Sequence, residues 1–332
     1  MMQRVYEKLH QLSSEPDFFT FQNQLARGIY EALGQGYASN DSEVDLVKKL
    51  IDAFNGKGFK GLRIYAEILH GSRSYVEFNY MDKPVTKELG DMLIISLVTA
   101  GSQRLFQRLC IVQNKKIQGD KWAIDQEQLY LLKNFPSFTG NKGIFRRSRD
   151  LIFRNNSGCL GAFGFFTPPG ELLLASAPLV TEMLRGQKVL KVTDISVFPQ
   201  IGIGGRGTLG GGSGIPFAFF RHPKELFFLI EEILHHYGWG LPMLGSIILG
   251  NTHFCRDVYD FSRDCTQMNI GEPTYVFDRV LNPHVDAFAN LVLRRIHYEA
   301  HPDLPGDNVF GDFPFDGSAA VLLFHLDVQR GE

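Results

Sequence analysis

Two apolar segments joined by a short turn constrain the fold of this chain more than any other feature. The stretches 88–96 and 108–116 are rich in β-branched and other apolar residues and are bounded by polar ones, which is typical of buried strands. The intervening segment 99–103 contains Gly-Ser, a turn signal. Together they predict a buried hairpin that turns near Ser102.

Such a hairpin gathers polar side chains at its open end. Asp91 and Gln113 are equally far from the turn and should lie opposite each other, while Gln113 and Lys115 share a face and Asn114 points away. An acid, an amide oxygen and a lysine in one place are typical of a metal-dependent nuclease. The alternative is that Asp91 starts or caps a strand and that Lys115 and Lys116 end one at the surface.

The elements around the hairpin define an α/β order. An N-cap signal and apolar positions spaced three or four residues apart predict a helix over 41–54. The remaining expectations are a second short helix over 62–69, a strand over 75–80, a capped helix over 125–134, and strands over 151–153 and 160–166.

The order of these elements resembles the core of the PD-(D/E)xK, or restriction-endonuclease-like, nuclease superfamily. That order is helix, strand, strand with Asp91, strand with Gln113-x-Lys115, helix and strand. The resemblance covers about residues 41–166, roughly two fifths of the chain. It implies a mixed central sheet flanked by helices, and the rest of the chain is expected to add an α+β C-terminal region. Gln113 replaces the usual Glu or Asp and contributes no negative charge.

The resemblance also assigns roles. It makes Asp91 the metal-holding acid of the second core strand and makes Gln113 and Lys115 the (D/E)-x-K pair of the third. Glu67 corresponds to the glutamate found on the preceding helix, and Glu88 competes for that position. The implied ion is Mg²⁺, with Mn²⁺ as an alternative, held by Asp91 and Gln113 because Mg²⁺ takes oxygen ligands and water. Lys115 would orient the attacking water or stabilise the transition state.

Composition sets wider limits on the class of protein. Of 332 residues, 44% are hydrophobic and 21% are charged, which is ordinary for a globular chain. The longest apolar runs are too short to span a bilayer, and residues 1–8 lack a signal-peptide core, so no membrane association is expected. Four cysteines suggest no disulfide scaffold, so the cytoplasm is the expected location.

Charge bears on nucleic-acid binding in two opposite ways. The net charge of −2 is unlike that of an avid DNA-binding protein. The segment 140–149 is locally basic, however, and would suit a loop that contacts a phosphate backbone, or else a solvated surface loop. The candidate nucleic-acid-binding residues are Lys116, Arg146, Arg147, Arg149 and, further along, Arg206.

The sequence predicts three regions: a helical segment over 1–40, the nuclease-like core over 41–170, and an accessory region over 171–332. The last contains a Gly-rich loop, 201–214, interpreted as a flexible loop or hinge rather than a mobile flap over nucleic acid. It also contains predicted helices over 223–237 and 284–299 and a buried strand over 319–327. Several residues could suggest zinc, but they lack paired Cys-x-x-Cys spacing and are interpreted as ordinary core or surface residues: His235, His236, His253, Cys255 and Cys265.

Two functions follow from the sequence. One is an Mg²⁺-dependent endonuclease acting on DNA, in a setting such as prokaryotic restriction or mobile-element defence, which is where this superfamily is common. The other is a catalytically inactive member that binds nucleic acid or joins a complex. Asp91 and Lys115 favour the first, whereas Gln113 and the net charge favour the second. A homo-oligomer and a defence-system partner protein both remain open.

Overall fold

The computed structural model describes residues 7–8, 11–69, 72–142, 150–197, 253–296 and 317–329. Its helices are α1 (Pro16–Ala38), α2 (Glu43–Phe54), α3 (Gln126–Asn134), α4 (Ala177–Leu184), α5 (Val192–Val197), α6 (Val258–Thr266) and α7 (Pro283–Arg295). Its strands are β1 (Gly58–Phe59), β2 (Leu62–Leu69), β3 (Ser72–Arg73), β4 (Tyr75–Tyr80), β5 (Lys83–Glu88), β6 (Met92–Ala100), β7 (Gln103–Lys116), β8 (Lys121–Ala123), β9 (Phe138–Lys142), β10 (Gly161–Thr167), β11 (Glu171–Ser176), β12 (Val189–Lys191), β13 (Phe254–Cys255), β14 (Glu272–Val276), β15 (Arg279–Val280) and β16 (Gly317–Asp327).

The fold is α/β and is built on one large mixed sheet. Its main order is β1-β2-β16-β6-β7-β10-β11-β13. The strands β6 and β7 are antiparallel, β7 and β10 are parallel, and β16 lies parallel to β6 and antiparallel to β2. Strands on both sides of Gly170 therefore belong to the same sheet.

Helices cover both faces of this sheet. On one face, apolar side chains of β6 and β7 such as Leu93 and Ile111 pack with those of α3, α4 and α7. On the other face, their neighbours Ile94 and Cys110 pack with α1, α2 and α6. Because both faces are buried, β6 is almost continuously apolar, and β7 carries the apolar run 109–112 within a strand that is buried along nearly its whole length.

Several sequence predictions are confirmed. Ser42 caps α2 by accepting a hydrogen bond from the Asp45 amide, and Asp125 caps α3 through two such bonds. The structure also contains four other predicted elements: the strand over 75–80, the hairpin, the helix beginning at Pro283 and the strand over 319–327. The last of these lies in the interior of the sheet, between β2 and β6.

Two predictions are wrong. Residues 62–69 form the strand β2 rather than a helix, because Leu62 and Ile64 are buried while Arg63 and Tyr65 between them are exposed, an alternation with a period of two. Residues 151–153 do not form a strand, and only Leu151 makes an isolated bridge, to a residue of β9.

No helix in the described part of the chain combines the length and apolarity needed to cross a membrane.

Candidate active site at the open end of the β6–β7 hairpin

The hairpin has the register that the sequence predicts. Met92 pairs with Val112 and Ala100 pairs with Gln103, so the chain turns at Gly101, whose φ of +59° suits a residue without a Cβ, and Ser102. The Asp91 amide donates to the Val112 carbonyl at 2.9 Å. Asp91 therefore lies beside Gln113 at the end of the hairpin far from the turn.

The residue before Asp91 must be small. A Cβ on Gly90 would come within 2.8 Å of an Ile111 methyl carbon and 3.1 Å of the Val112 carbonyl oxygen. Glycine thus lets the chain approach β7 closely just before β6 begins, and this approach sets the position of Asp91.

The Asp91 carboxyl group is bound by two donors from β7. Its Oδ2 accepts from Gln113 Nε2 at 2.5 Å and from the Asn114 backbone amide at 2.8 Å. Among the described residues, none donates a hydrogen bond to the other oxygen, Oδ1. The carboxyl group is therefore fixed by one of its oxygens and can offer the second to a ligand.

Burial raises the pKa of Asp91 to about 7. The carboxylates of Glu88 and Glu43 raise it further, whereas the Asn114 amide and the Lys115 ammonium oppose the shift. Asp91 therefore changes its charge near neutral pH. A strongly perturbed acid beside a lysine is a common property of catalytic sites, although buried structural groups share it.

Glu43, on the first turn of α2, joins this group from the neighbouring layer. Its Oε1 lies 3.9 Å from Lys115 Nζ, and its Oε2 accepts from the Lys116 backbone amide at 2.9 Å. Sequence reasoning missed Glu43. The available signal was its place at the start of the correctly predicted helix, and the mistaken helix over 62–69 directed attention to Glu67 instead.

Glu67 and Glu88 lie at different distances from Asp91. Glu67 is exposed on β2, two strands away from β6 through Val321, which corresponds to about 10 Å between backbones. The carboxylates with the largest effect on the pKa of Asp91 are instead Glu88 and Glu43. Glu88 ends β5 and does contribute to that shift, and its carbonyl accepts from Gln128 Nε2 at 2.7 Å.

Lys116 points away from Lys115, to the opposite face of the sheet. Its Nζ donates to the Asp41 carbonyl at 2.6 Å and to Asn40 Oδ1 at 3.2 Å, and it lies 5.6 Å from the centre of the Tyr37 ring. The structure therefore places this candidate nucleic-acid-binding residue in contacts with the turn between α1 and α2.

The other predicted basic residues cannot be placed, because Arg146, Arg147, Arg149 and Arg206 lie outside the described residues, as do the Gly-rich loop and the predicted helix over 223–237. The start of the basic segment is described. Lys142 is exposed at the end of β9 and pairs with Tyr75, which also pairs with Glu88 on its other side. Lys142 thus lies two strands from Glu88 in the three-stranded sheet β5-β4-β9, which is separate from the main sheet.

The donors that meet at this end suit a hard divalent cation. Asp91 contributes a carboxyl group and Gln113 an amide, and Mg²⁺ in proteins typically takes one or two carboxylates and completes its octahedron with water. In the described part of the chain, no three His, Cys, Asp or Glu residues are gathered closely enough to hold a metal by themselves. An ion here would therefore depend on the amide and on water.

The residues considered for zinc that the structure describes are buried side chains. His253 is buried, its Nδ1 lies 3.0 Å from Ser176 Oγ, and burial lowers its pKa to about 4. Cys255 and Cys265 are buried free thiols whose pKa values are raised by burial. His235 and His236 lie outside the described residues.

Comparison of this chain with protein-family models, with curated proteins and with solved structures found no match to any of them.

Proposed function

We propose that this protein is a metal-dependent nuclease that hydrolyses phosphodiester bonds, with DNA as the proposed substrate. The observation that carries the proposal is the meeting of Asp91, Gln113 and Lys115 at one end of a buried hairpin, with Glu43 reaching the same end from α2. A setting in prokaryotic restriction or mobile-element defence belongs to the same proposal and rests on the superfamily resemblance.

The connectivity supports a restriction-endonuclease-like core. The elements α2, β2, β6, β7, α3 and β10 follow one another in the order of the superfamily core, if the β4–β5 pair is taken as an insertion. The strand β16 would then be a second addition, placed between the first two core strands. Glu43 on α2, rather than Glu67, would take the place of the helix glutamate.

Each side chain has a distinct role in the proposed reaction. Asp91 and Gln113 would hold Mg²⁺ or Mn²⁺, which supplies charge neutralisation at the scissile phosphate and acidifies water. Lys115, partly buried and 3.9 Å from Glu43, would place a positive charge where negative charge develops in the transition state. Glu43 would limit the mobility of Lys115, and Asp91 would have to lose its proton before binding the ion.

The test is cleavage of assorted DNA and RNA substrates with Mg²⁺ or Mn²⁺, comparing wild type with Asp91→Ala. Asp52→Ala is a matched control, because Asp52 is an exposed carboxylate on the same helix as Glu43. We expect cleavage by wild type and the control and none by Asp91→Ala. Equal cleavage by Asp91→Ala would overturn the assignment of the site.

One observation favours a second function, that of a nuclease-fold subunit that binds nucleic acid without cutting it. The Gln113 amide nitrogen donates to Asp91, and the amide brings no negative charge to attract a cation. This alternative predicts metal-independent DNA binding and no cleavage with any divalent ion, both in the wild-type protein and in Gln113→Glu.

A further inference from the structure

We infer that Lys116 is a positioning residue: it fastens the α1–α2 turn (residues 39–42) to the end of β7 and so holds Glu43 beside Lys115 and Asp91. The consequence for metal binding rests on the proposed function, whereas the structural role does not. This assignment differs from the expectation that Lys116 contacts nucleic acid.

The position of Lys116 on β7 makes this possible. Consecutive side chains of a strand point to opposite faces, so Lys115 lies on the face of the proposed chemistry and Lys116 on the face covered by α1 and α2. Its ammonium donates to the Asp41 carbonyl at 2.6 Å and to Asn40 Oδ1 at 3.2 Å. Its backbone amide donates to Glu43 Oε2 at 2.9 Å. Lys116 thus contacts three of the four residues from Asn40 to Glu43.

The α1–α2 turn is short and closely packed, so fixing the turn also fixes the position of Glu43. Asn40 has a φ of +55°, and the Asp41 amide donates to the Gly36 carbonyl at 2.8 Å. A Cβ on Gly36 would come within 2.6 Å of a Leu46 methyl carbon, so α1 and α2 leave little space between them. Glu43 follows directly after the N-cap residue of α2. Movement of the turn would therefore move Glu43.

The test compares Lys116→Ala and Lys116→Arg with wild type by measuring Mn²⁺ affinity. The Glu43 carboxylate acts on Asp91 through its charge, so it would add negative charge beside the proposed ion, and displacing it should weaken Mn²⁺ binding. Because Lys116→Ala keeps the backbone bond to Glu43, we expect a weakening of about tenfold, the lower end of the usual effect of changing a group behind the metal ligands. Lys116→Arg should restore most of the affinity. Lys48→Ala is the matched control, because Lys48 is an exposed lysine of α2 that pairs with Asp45 at 3.0 Å.

A double-mutant cycle separates positioning from a general loss of stability. In a Glu43→Ala background, Lys116→Ala should cause no further loss of Mn²⁺ affinity, because its effect passes through Glu43. Full additivity of the two effects, or unchanged affinity in Lys116→Ala, would overturn the inference.

Amide hydrogen exchange tests the structural role without relying on metal or cleavage. The Leu46 amide donates to the Ser42 carbonyl at 3.0 Å, and it should exchange faster in Lys116→Ala than in wild type or Lys48→Ala. If wild type neither binds Mn²⁺ nor cleaves DNA, the proposed function fails, and this measurement alone then decides the role of Lys116. Unchanged exchange at Leu46 would overturn it.

Discussion

Each end of the β6–β7 hairpin holds a carboxyl group, and the two groups differ in the donors that bind them. Near the turn, Asp286 of α7 receives two hydrogen bonds from Arg104 of β7, at 2.9 and 3.1 Å. Gln107, Thr274 and Asn290 donate to the same carboxylate at 3.1–3.2 Å. At the open end, the described residues that bind Asp91 are an amide side chain and a backbone amide.

Burial raises the pKa of both carboxyl groups, but only Asp286 has a guanidinium group in contact that stabilises its ionised form. Lys115, whose charge opposes the rise in the pKa of Asp91, has its Nζ 3.9 Å from Glu43 Oε1. The difference suggests that the fold uses Asp286 to join α7 to the sheet and leaves Asp91 with capacity for a ligand. A raised pKa alone would not make this distinction, because burial also raises that of Glu272, hydrogen-bonded to Ser157, to about 7.

The largest effects should come from removing each carboxyl group. Asp286→Ala leaves the buried Arg104 guanidinium without its carboxylate and should lower the free energy of unfolding by about 3–5 kcal/mol. Asp91→Ala should leave the fold intact and lower the cleavage rate by roughly a thousandfold or more. Chemical denaturation and DNA cleavage measure the two effects. Severe unfolding of Asp91→Ala with a mild effect of Asp286→Ala would reverse the comparison.

Lys115→Ala tests whether the cation of the open end acts in the reaction. We expect cleavage to fall by about 100-fold or more, because a charge aimed at the transition state is lost. Stability should change by less than about 1 kcal/mol, since the pair with Glu43 is partly exposed. Lys121→Ala, at an exposed position on β8, is the control. An active Lys115→Ala enzyme would limit this lysine to a structural role.

The pH dependence of stability should report the titration of Asp91. Because the pKa of Asp91 rises from 3.8 to about 7, its contribution to stability is present below its ordinary pKa and is lost as the pH rises towards 7. Asp91→Asn should therefore become increasingly stabilising relative to wild type between pH 4 and 7. Thermal unfolding across this range measures the effect.

The same titration should govern metal affinity. Mg²⁺ competes with the proton on Asp91, so affinity in wild type should rise with pH up to about 7 and then level off. Glu272→Gln removes another carboxyl group whose pKa burial raises to about 7, and it should leave this profile unchanged. A flat profile in wild type would remove Asp91 from the set of ligands.

The smallest effect should come from Gln113→Glu. A carboxylate attracts Mg²⁺ more strongly than an amide, so the Mg²⁺ concentration for half-maximal cleavage should fall by roughly threefold to tenfold. Gln113→Leu keeps the bulk of the side chain but removes its oxygen, and it should be inactive. Cleavage by Gln113→Leu with unchanged metal dependence would mean that Gln113 is not a ligand.

The parts of the site that sequence could predict are those set by neighbouring strands. The register that joins Asp91 to Gln113 followed from two apolar runs and the turn between them, because alternation and turn position fix a hairpin. Residues 62–69 were wrongly predicted as a helix because a short apolar stretch fits both the helical period of 3.6 and the strand period of two. That error led to Glu67, rather than Glu43, as the helix glutamate.

Long-range contacts could not be predicted in this way. The bonds of Arg104 to Asp286 join residues 182 positions apart, and the pairing of β16 with β6 joins residues more than 200 positions apart. No local pattern specifies which distant segment enters a sheet, so the expectation of a buried strand over 319–327 said nothing of its neighbours.

The place of β16 has a consequence for protein synthesis. Its Ala320 amide donates to the Asp91 carbonyl at 3.0 Å, and it separates β2 from β6 in the sheet. Because β16 is translated after every other described strand, a chain still emerging from the ribosome presents β2 and β6 as unprotected edges, which can pair with other chains. The backbone that carries Asp91 gains this strand neighbour only when β16 arrives, so the site should be completed only after all the other described strands have been made.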